Sequence, residues 1–207
     1  MAMANHTMAE LSTYIQLGFG HIVNREALDH ILFLLALAAI YRRQDWRDAL
    51  WVITAFTVGH SVTLVLAASG ALVLPIRWIE FLIPVTIVMT AASNVFTHAS
   101  EGAARPTRWR AGFAALFGLV HGAGFAEYLQ SLFMDHIVVP LFGFNIGIEL
   151  GQIVVLVAAG AALTALDGAL RRGVVWSRWT PLRMRITAVS CLVLLLGFRM
   201  VAERLPW

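Results

Sequence analysis

Ionisable and amide side chains stand inside long apolar blocks of this chain. Asp29-His30 opens one block and His60 lies within a second. Asn94 lies in a third, His121 and Glu127 in a fourth, and Asn145, Glu149 and Gln152 in a fifth. Such groups are costly at membrane depth and usually face a cavity or a partner. Helical spacing gathers them further. Asn145 and Glu149 are four apart and Glu149 and Gln152 three apart, so all three share one helix face. Thr57, His60 and Ser61 share another. Imidazole and carboxylate donors without thiolate suit a borderline divalent ion such as Ni²⁺, Co²⁺ or Zn²⁺. The seven methionines are scattered, which argues against a thioether path for Cu(I).

The expectation is that His30, His60, His121 and Glu149 bind such an ion, and that Asp29 orients His30 or binds directly. Asn94, Glu127, Asn145 and Gln152 are expected to support these ligands. Taken in order of depth, the polar groups are expected to form a ladder from one mouth of the bundle toward the other. His98 reads as a cap on helix-end carbonyls, and Glu80 as an interfacial anchor. His6, Asp135 and His136 fall between apolar blocks and read as solvated. The His121-Gly-Ala-Gly124 run reads either as a ligand turn or as a close helix-packing surface.

Elements that could position these residues follow from composition. Of 207 residues, 59% are apolar and 13% charged, and mean hydropathy is +0.77. That leaves too little polar surface for a water-soluble globule. A bilayer core of ~30 Å needs about 20 helical residues per crossing. The apolar blocks predict spans at 27–41, 49–73, 78–96, 111–133, 140–163 and 186–201. The fold class is therefore all-α: one integral membrane domain, residues 1–207, a polytopic bundle of about six spans. The first span reaches full length only by including His21 to Glu26, either as helix or as a loop folded into the protein. Irregular backbone is tolerated at that depth where it lines a cavity. The first twenty residues lack a basic run and a cleavage site, so no removable signal peptide is expected. The single cysteine, Cys191, has no partner in the chain and reads as a small buried apolar residue.

All 15 basic residues are arginine. They sit in short runs between apolar blocks, which fits orientation signals rather than a nucleic-acid stripe. Eleven lie in the loops after the first, third and fifth spans, and four lie on the other side. The positive-inside rule places the richer side in the cytoplasm of a bacterial-type inner membrane and both termini outside. Phe56-Thr-Val-Gly-His60 also matches Phe144-Asn-Ile-Gly-Ile148. Three spans separate the copies, which suggests a 3+3 inverted repeat around a midplane site.

The segments LGFGHIVNREALDHILFLLAL, FTVGHSVTL, EFLIPVTIVMTAASNVF, FGLVHGAGFAEYL and NIGIELGQI appear in order between Leu17 and about Val157. In this combination the chain resembles the HupE/UreJ family of hydrogenase- and urease-accessory membrane proteins. The resemblance implies a membrane protein of six or more spans that imports nickel or a related metal for metalloenzyme assembly. The family's His-Asp-His signature falls on His21, Asp29 and His30, which adds His21 to the candidate ligands. Seven residues separate His21 from Asp29 and Ile22 follows the first His, so the chain is similar to the divergent second branch of the family.

The leading expectation is a transition-metal permease, with the metal ion, nickel or cobalt before zinc, as substrate. It is expected to contact the lipid bilayer, and a metallochaperone or metalloenzyme is its expected protein partner. Two alternatives stand beside it. One is a membrane-embedded metallohydrolase, in which Glu127 or Glu149 would be the general base. The other is a non-transporting partner of a metallochaperone. A hydrolase needs three ligands converging on one point with an open fourth position. A carrier needs polar groups spread through the depth of the bundle. No Walker motif is present, so ATP is not expected to drive transport directly.

Overall fold

The computed structural model describes residues 2–24, 27–72, 75–98, 107–132, 137–173 and 180–207. Among these the chain is all helical. Its helices are α1 (Ala2–Val23), α2 (Leu28–Ile40), α3 (Trp46–Ala68), α4 (Ile76–His98), α5 (Thr107–Leu132), α6 (Val138–Gly173) and α7 (Pro181–Glu203), with a short 3₁₀ turn at Arg43–Asp45 before α3. By length and composition α3, α4, α6 and α7 can each cross a membrane. α5 is long enough, but four glycines, His121, Arg108 and Arg110 lower its apolarity. α2 is apolar and short.

The boundaries follow local chemistry. α3 starts three residues before the expected 49, at Trp46, and ends at Ala68. Gly70, at φ +73°, turns the chain there into a conformation that side-chain-bearing residues disfavour. α7 starts early, at Pro181, which needs no N–H partner at a first helical position; Thr180 caps it by accepting from the Arg183 N–H. α6 runs ten residues past the expected end at Leu163. Its Ala- and Leu-rich extension is a good helix former, and Asp167 in it is paired with Arg185. Cys191 is exposed on α7, not buried as its type suggested; it faces outward from the bundle.

The N-terminal helix α1 was not among the expected spans. It packs along α6 and hardly touches α2, so α1 and α2 do not form a hairpin. Contacts fix its direction. A Cβ on Gly143 would meet Leu11 and Tyr14, one on Gly147 would collide with the Ile15 carbonyl, and one on Gly151 would press on Ile22. Residue numbers rise together, so α1 and α6 run parallel. α1 therefore stops beside Gly151, about 20 Å along α6 at 1.5 Å per residue. α2 continues in the same direction. Its last carbonyls reach α6 at Asp167 through Arg185, which donates to Ala39 O at 3.1 Å, Tyr41 O at 2.8 Å and Asp167 Oδ2 at 2.6 Å. α1 and α2 thus follow α6 end to end, with a break after Val23. The sequence left His21–Glu26 as helix or inserted loop. Helix persists through His21 and Val23, and the Ala27 N–H then donates to the Asn24 carbonyl at 3.0 Å.

A second parallel pair, α3 with α5, is built the same way. A Cβ on Gly118 would collide with the Phe56 carbonyl, one on Gly59 with the Ala115 carbonyl, and one on Gly122 with His60. In the first pair a Cβ on Gly18 would likewise collide with the Phe144 carbonyl. Phe56/Gly59 on α3 thus stand to Ala115/Gly118 on α5 as Phe144/Gly147 on α6 stand to Ile15/Gly18 on α1. Small residues let helix backbones approach closely where no hydrophobic drive separates helix from lipid. The His121-Gly-Ala-Gly124 run is continuous helix, and its Gly122 is packing surface rather than a ligand turn.

Candidate metal centre

Four imidazoles converge where α1 breaks. His21 comes from the last turn of α1, His30 from the first turn of α2, His60 from α3 and His121 from α5. His30 stands at the middle of the group. Its ring centroid lies 4.8 Å from His21, 6.3 Å from His60 and 5.2 Å from His121. One nitrogen each from His21, His30 and His60 lies within 4.8 Å of the others. His30, His60 and His121 are buried.

Local helix geometry explains the convergence. The glycine contacts that draw α3 against α5 place His60 and His121 on facing turns. Gly18 draws α1 against α6 and sets His21 one turn later, where Phe144 lies 5.7 Å and Phe125 4.1 Å from its ring. Asp29 then fixes His30. Its Oδ1 accepts from the His30 backbone N–H at 2.8 Å and pairs with ring Nδ1 at 3.0 Å. Its Oδ2 lies 3.8 Å from the Arg204 guanidinium.

The hydrogen bonds around the rings leave particular nitrogens available to ligate. His30 Nδ1 carries its proton toward Asp29, so Nε2 holds the lone pair, and Nε2 is buried with no partner among the described residues. Thr86 has one hydroxyl proton and donates it to Ile83 O at 2.7 Å. Its oxygen must then accept from His121 Nε2, 3.2 Å away, which leaves the lone pair on His121 Nδ1. That atom too is buried without a partner among the described residues, as are His21 Nε2 and both nitrogens of His60. Buried polar atoms are rarely left unsatisfied. Those of His21, His30 and His60 lie close enough together to be ligands to one borderline divalent ion.

The cluster floors a cavity of about 190 Å³ bordered by His21, Asn24, Asp29, His30, His121 and Phe125. A larger cavity of about 320 Å³ lies beyond Phe33 and Phe117, lined by Leu37, Met89, Thr90, Ser93, Asn94 and Arg110 among others. Phe33 stacks on Phe56 at 4.9 Å, and its ring is 6.0 Å from His121. It lines the larger cavity and lies beside His121, which lines the smaller one.

The remaining expected residues are placed elsewhere. The depth ladder is not what forms, because the histidines of α1, α2, α3 and α5 meet at one level. Glu149 is not in the imidazole group; its Oε1 accepts from the Thr54 hydroxyl at 2.6 Å. Gln152 Oε1 pairs with Thr57 Oγ1 at 2.9 Å. Asn145 Nδ2 donates to Leu141 O on its own helix, and Asn94 Nδ2 to Ala36 O on α2. Glu127 lies on α5, but its side chain and that of His98 fall outside the described residues, as do Asp135 and His136. Sequence reasoning missed Thr86, Arg204 and the Arg185–Asp167 pair. It also missed the match of Gly18-Phe-Gly-His21 to Gly118-Leu-Val-His121. That repeated Gly-x-x-His spacing was the signal for α1.

Long apolar helices and glycine-mediated crossings mark a helical membrane protein. The HupE / UreJ protein family model matches residues 1–203, and the chain belongs to that family. No curated protein and no solved structure matches it. The family is associated with nickel and cobalt uptake for hydrogenase and urease, and it is a transporter and accessory family rather than an enzyme family.

Proposed function

We propose that this protein is a permease for a divalent transition-metal ion, nickel or cobalt before zinc, supplying metalloenzyme assembly. The observation that carries the reading is the set of unpartnered, buried imidazole nitrogens on His21, His30, His60 and His121 beside an open cavity. The ion enters past Asp29, binds the imidazole nitrogens, and leaves past Phe33 toward the second cavity. Asp29 holds the His30 tautomer and raises its basicity.

The same reading takes α1 and α2 as two halves of one interrupted crossing, giving six crossings in a bacterial-type inner membrane with both termini outside. Crossings one to three and four to six then form an inverted repeat. α3 corresponds to α6, α4 to α7, and α1 to α5. The matched glycine crossings and the shared Gly-x-x-His spacing support this. Interrupted helices and a site at the repeat interface are transporter features.

Three imidazoles meeting at one point are also what a hydrolytic zinc would need. Water activation there requires a nearby free base. Asp29 is the carboxylate bordering the cavity among the described residues, and it is engaged by His30 and Arg204. Transport is the better reading. The test is uptake by purified protein in liposomes, comparing Ni²⁺, Co²⁺, Zn²⁺ and Cu²⁺. Saturable accumulation of Ni²⁺ or Co²⁺ is expected; accumulation no greater than in protein-free liposomes for all four would overturn the reading.

A further inference from the structure

Glu149 stands in the longest apolar helix, eleven residues after Val138 and so about 16 Å from its start. It is only half-buried, and an ionised carboxylate at that depth is costly unless neutralised. Among the described residues no cation neutralises it. Its partner is the Thr54 hydroxyl at 2.6 Å. One turn further along each helix, Gln152 Oε1 meets Thr57 Oγ1 at 2.9 Å. Thr57 also donates to Ile53 O at 3.1 Å, so its single hydroxyl proton is shared between two acceptors unless the Gln152 amide turns its N–H₂ toward it. The result is a polar group built from two helices that holds one carboxyl, Glu149.

The charged groups on the neighbouring helices are occupied elsewhere. On α2, Asp29 pairs with His30 and Arg204. On α7, Arg185 pairs with Asp167 of α6, and Arg199 with Glu203. On α1, His21 belongs to the imidazole cluster and Glu10 lies three turns earlier. Tyr14 lies beside Gly143, about two turns before Glu149 on α6. On α3, His60 belongs to the cluster, and Arg47 and Asp48 lie in the first turn, about two turns before Thr54 and with no ion pair to Glu149 among the described residues.

We propose that Glu149, with Thr54, Thr57 and Gln152, is a second ion site that takes a proton, and that its loading is coupled to movement of the metal. The proposal rests on the permease reading. Both helices of this site also hold the metal cluster. α3 carries His60 one turn beyond Thr57, and α6 packs Phe144 against His21. A carboxyl that is neutral in one state and ionised in another changes how tightly α3 and α6 hold together. That change reaches both sides of the imidazole group. The transfer is a simple protonation: Glu149 gains or loses one proton, which crosses with or against the metal.

The experiment uses full-length protein in liposomes loaded with a pH-sensitive dye, with Ni²⁺ added outside. Wild type is expected to accumulate Ni²⁺ and to shift lumenal pH in proportion. Glu149→Gln keeps an acceptor for Thr54 and is expected to bind Ni²⁺ within about twofold of wild type in detergent. It should lose the Ni²⁺-dependent proton movement and at least tenfold of gradient-driven uptake. Glu149→Asp should restore part of both. No Ni²⁺ uptake by wild type would defeat the permease reading itself. Wild-type proton movement in Glu149→Gln would overturn the proton site alone. So would uptake that follows a Na⁺ gradient without proton movement, or a Glu149→Gln variant that no longer binds Ni²⁺.

Discussion

Asp29 and His30 are adjacent in sequence, yet one carboxylate oxygen reaches both the backbone N–H and ring Nδ1 of His30, at 2.8 and 3.0 Å. The first bond anchors the start of α2 at an orphan helix N–H. The second fixes the imidazole so that Nε2 faces the other histidines. One side chain thus sets both the helix start and the ligand orientation.

Asp29→Asn keeps the shape and an acceptor but removes the charge. It should therefore leave the protein folded and weaken Ni²⁺ binding by roughly 10–100-fold, the usual cost of losing a partner behind a ligating His. Calorimetric titration of the detergent-purified variant measures this. Wild-type affinity would show that Asp29 serves only the helix start.

Thr86 plays the same part for His121 with a hydroxyl. Because its proton goes to Ile83 O, its oxygen holds the His121 Nε2–H and exposes Nδ1. Thr86→Val fills the same space without that oxygen. It should lower metal affinity by about tenfold, while Thr86→Ser should restore it. If valine and serine bind metal equally well, the hydrogen bond does not set the tautomer.

Metal and protons compete for the same imidazole lone pairs. Acid loads the nitrogens with protons and metal cannot follow, so affinity must fall as pH falls. The decline should be steeper than one proton per metal once the medium is acid enough to protonate the buried imidazoles, because several of them ligate. Titrations at stepped pH test this. Binding that does not fall with acid while the protein stays folded would exclude imidazole ligation.

Much of this site was legible because burial of a charged or polar group in an apolar block is conspicuous. His30, His60 and His121 could be picked out in that way, and the structure brings them together. What failed was depth. The six blocks gave an order along the membrane only if each crossing was straight and complete. α1 defeats that assumption. Its apolar face is interrupted by Ser12, Thr13 and Gln16, and it is held to α6 by backbone proximity at Gly143, Gly147 and Gly151. Hydropathy does not register that kind of attachment. Glu149 was misplaced for a related reason. Spacing showed which face of α6 it shared with Gln152, but not that this face would meet Thr54 and Thr57 instead of the histidines.

Topology is testable directly. Single cysteines at Arg43 and Arg108, in a Cys191→Ser background, should resist a membrane-impermeant thiol reagent on intact cells and label after lysis. A cysteine at Met8, exposed near the start of α1, should label from outside. Outside labelling at Arg43 or Arg108 would reverse or break the six-crossing arrangement drawn from the arginine split.

Arg185 was counted in the sequence as one more loop arginine, and the structure gives it a different part. It is 3% exposed and joins three helices, because its guanidinium bonds Ala39 O and Tyr41 O at the end of α2 and Asp167 on α6. The last carbonyls of a helix have no partner within it, and in a membrane they have little water to turn to. Arg185→Ala would orphan both carbonyls and strand Asp167, whose Oδ1 has no partner among the described residues. Breaking a buried pair from one side costs about 3–5 kcal/mol, so the variant should unfold at clearly lower denaturant or temperature. Arg185→Lys supplies a charge but not the planar fork that reaches three acceptors at once, and should recover only part of the loss. Replacing both partners, Arg185→Met with Asp167→Leu, should be less harmful than either single change, since no charge is then left unpaired. Additive losses in that double variant, measured by thermal unfolding in detergent, would show that the pair does not act as a unit.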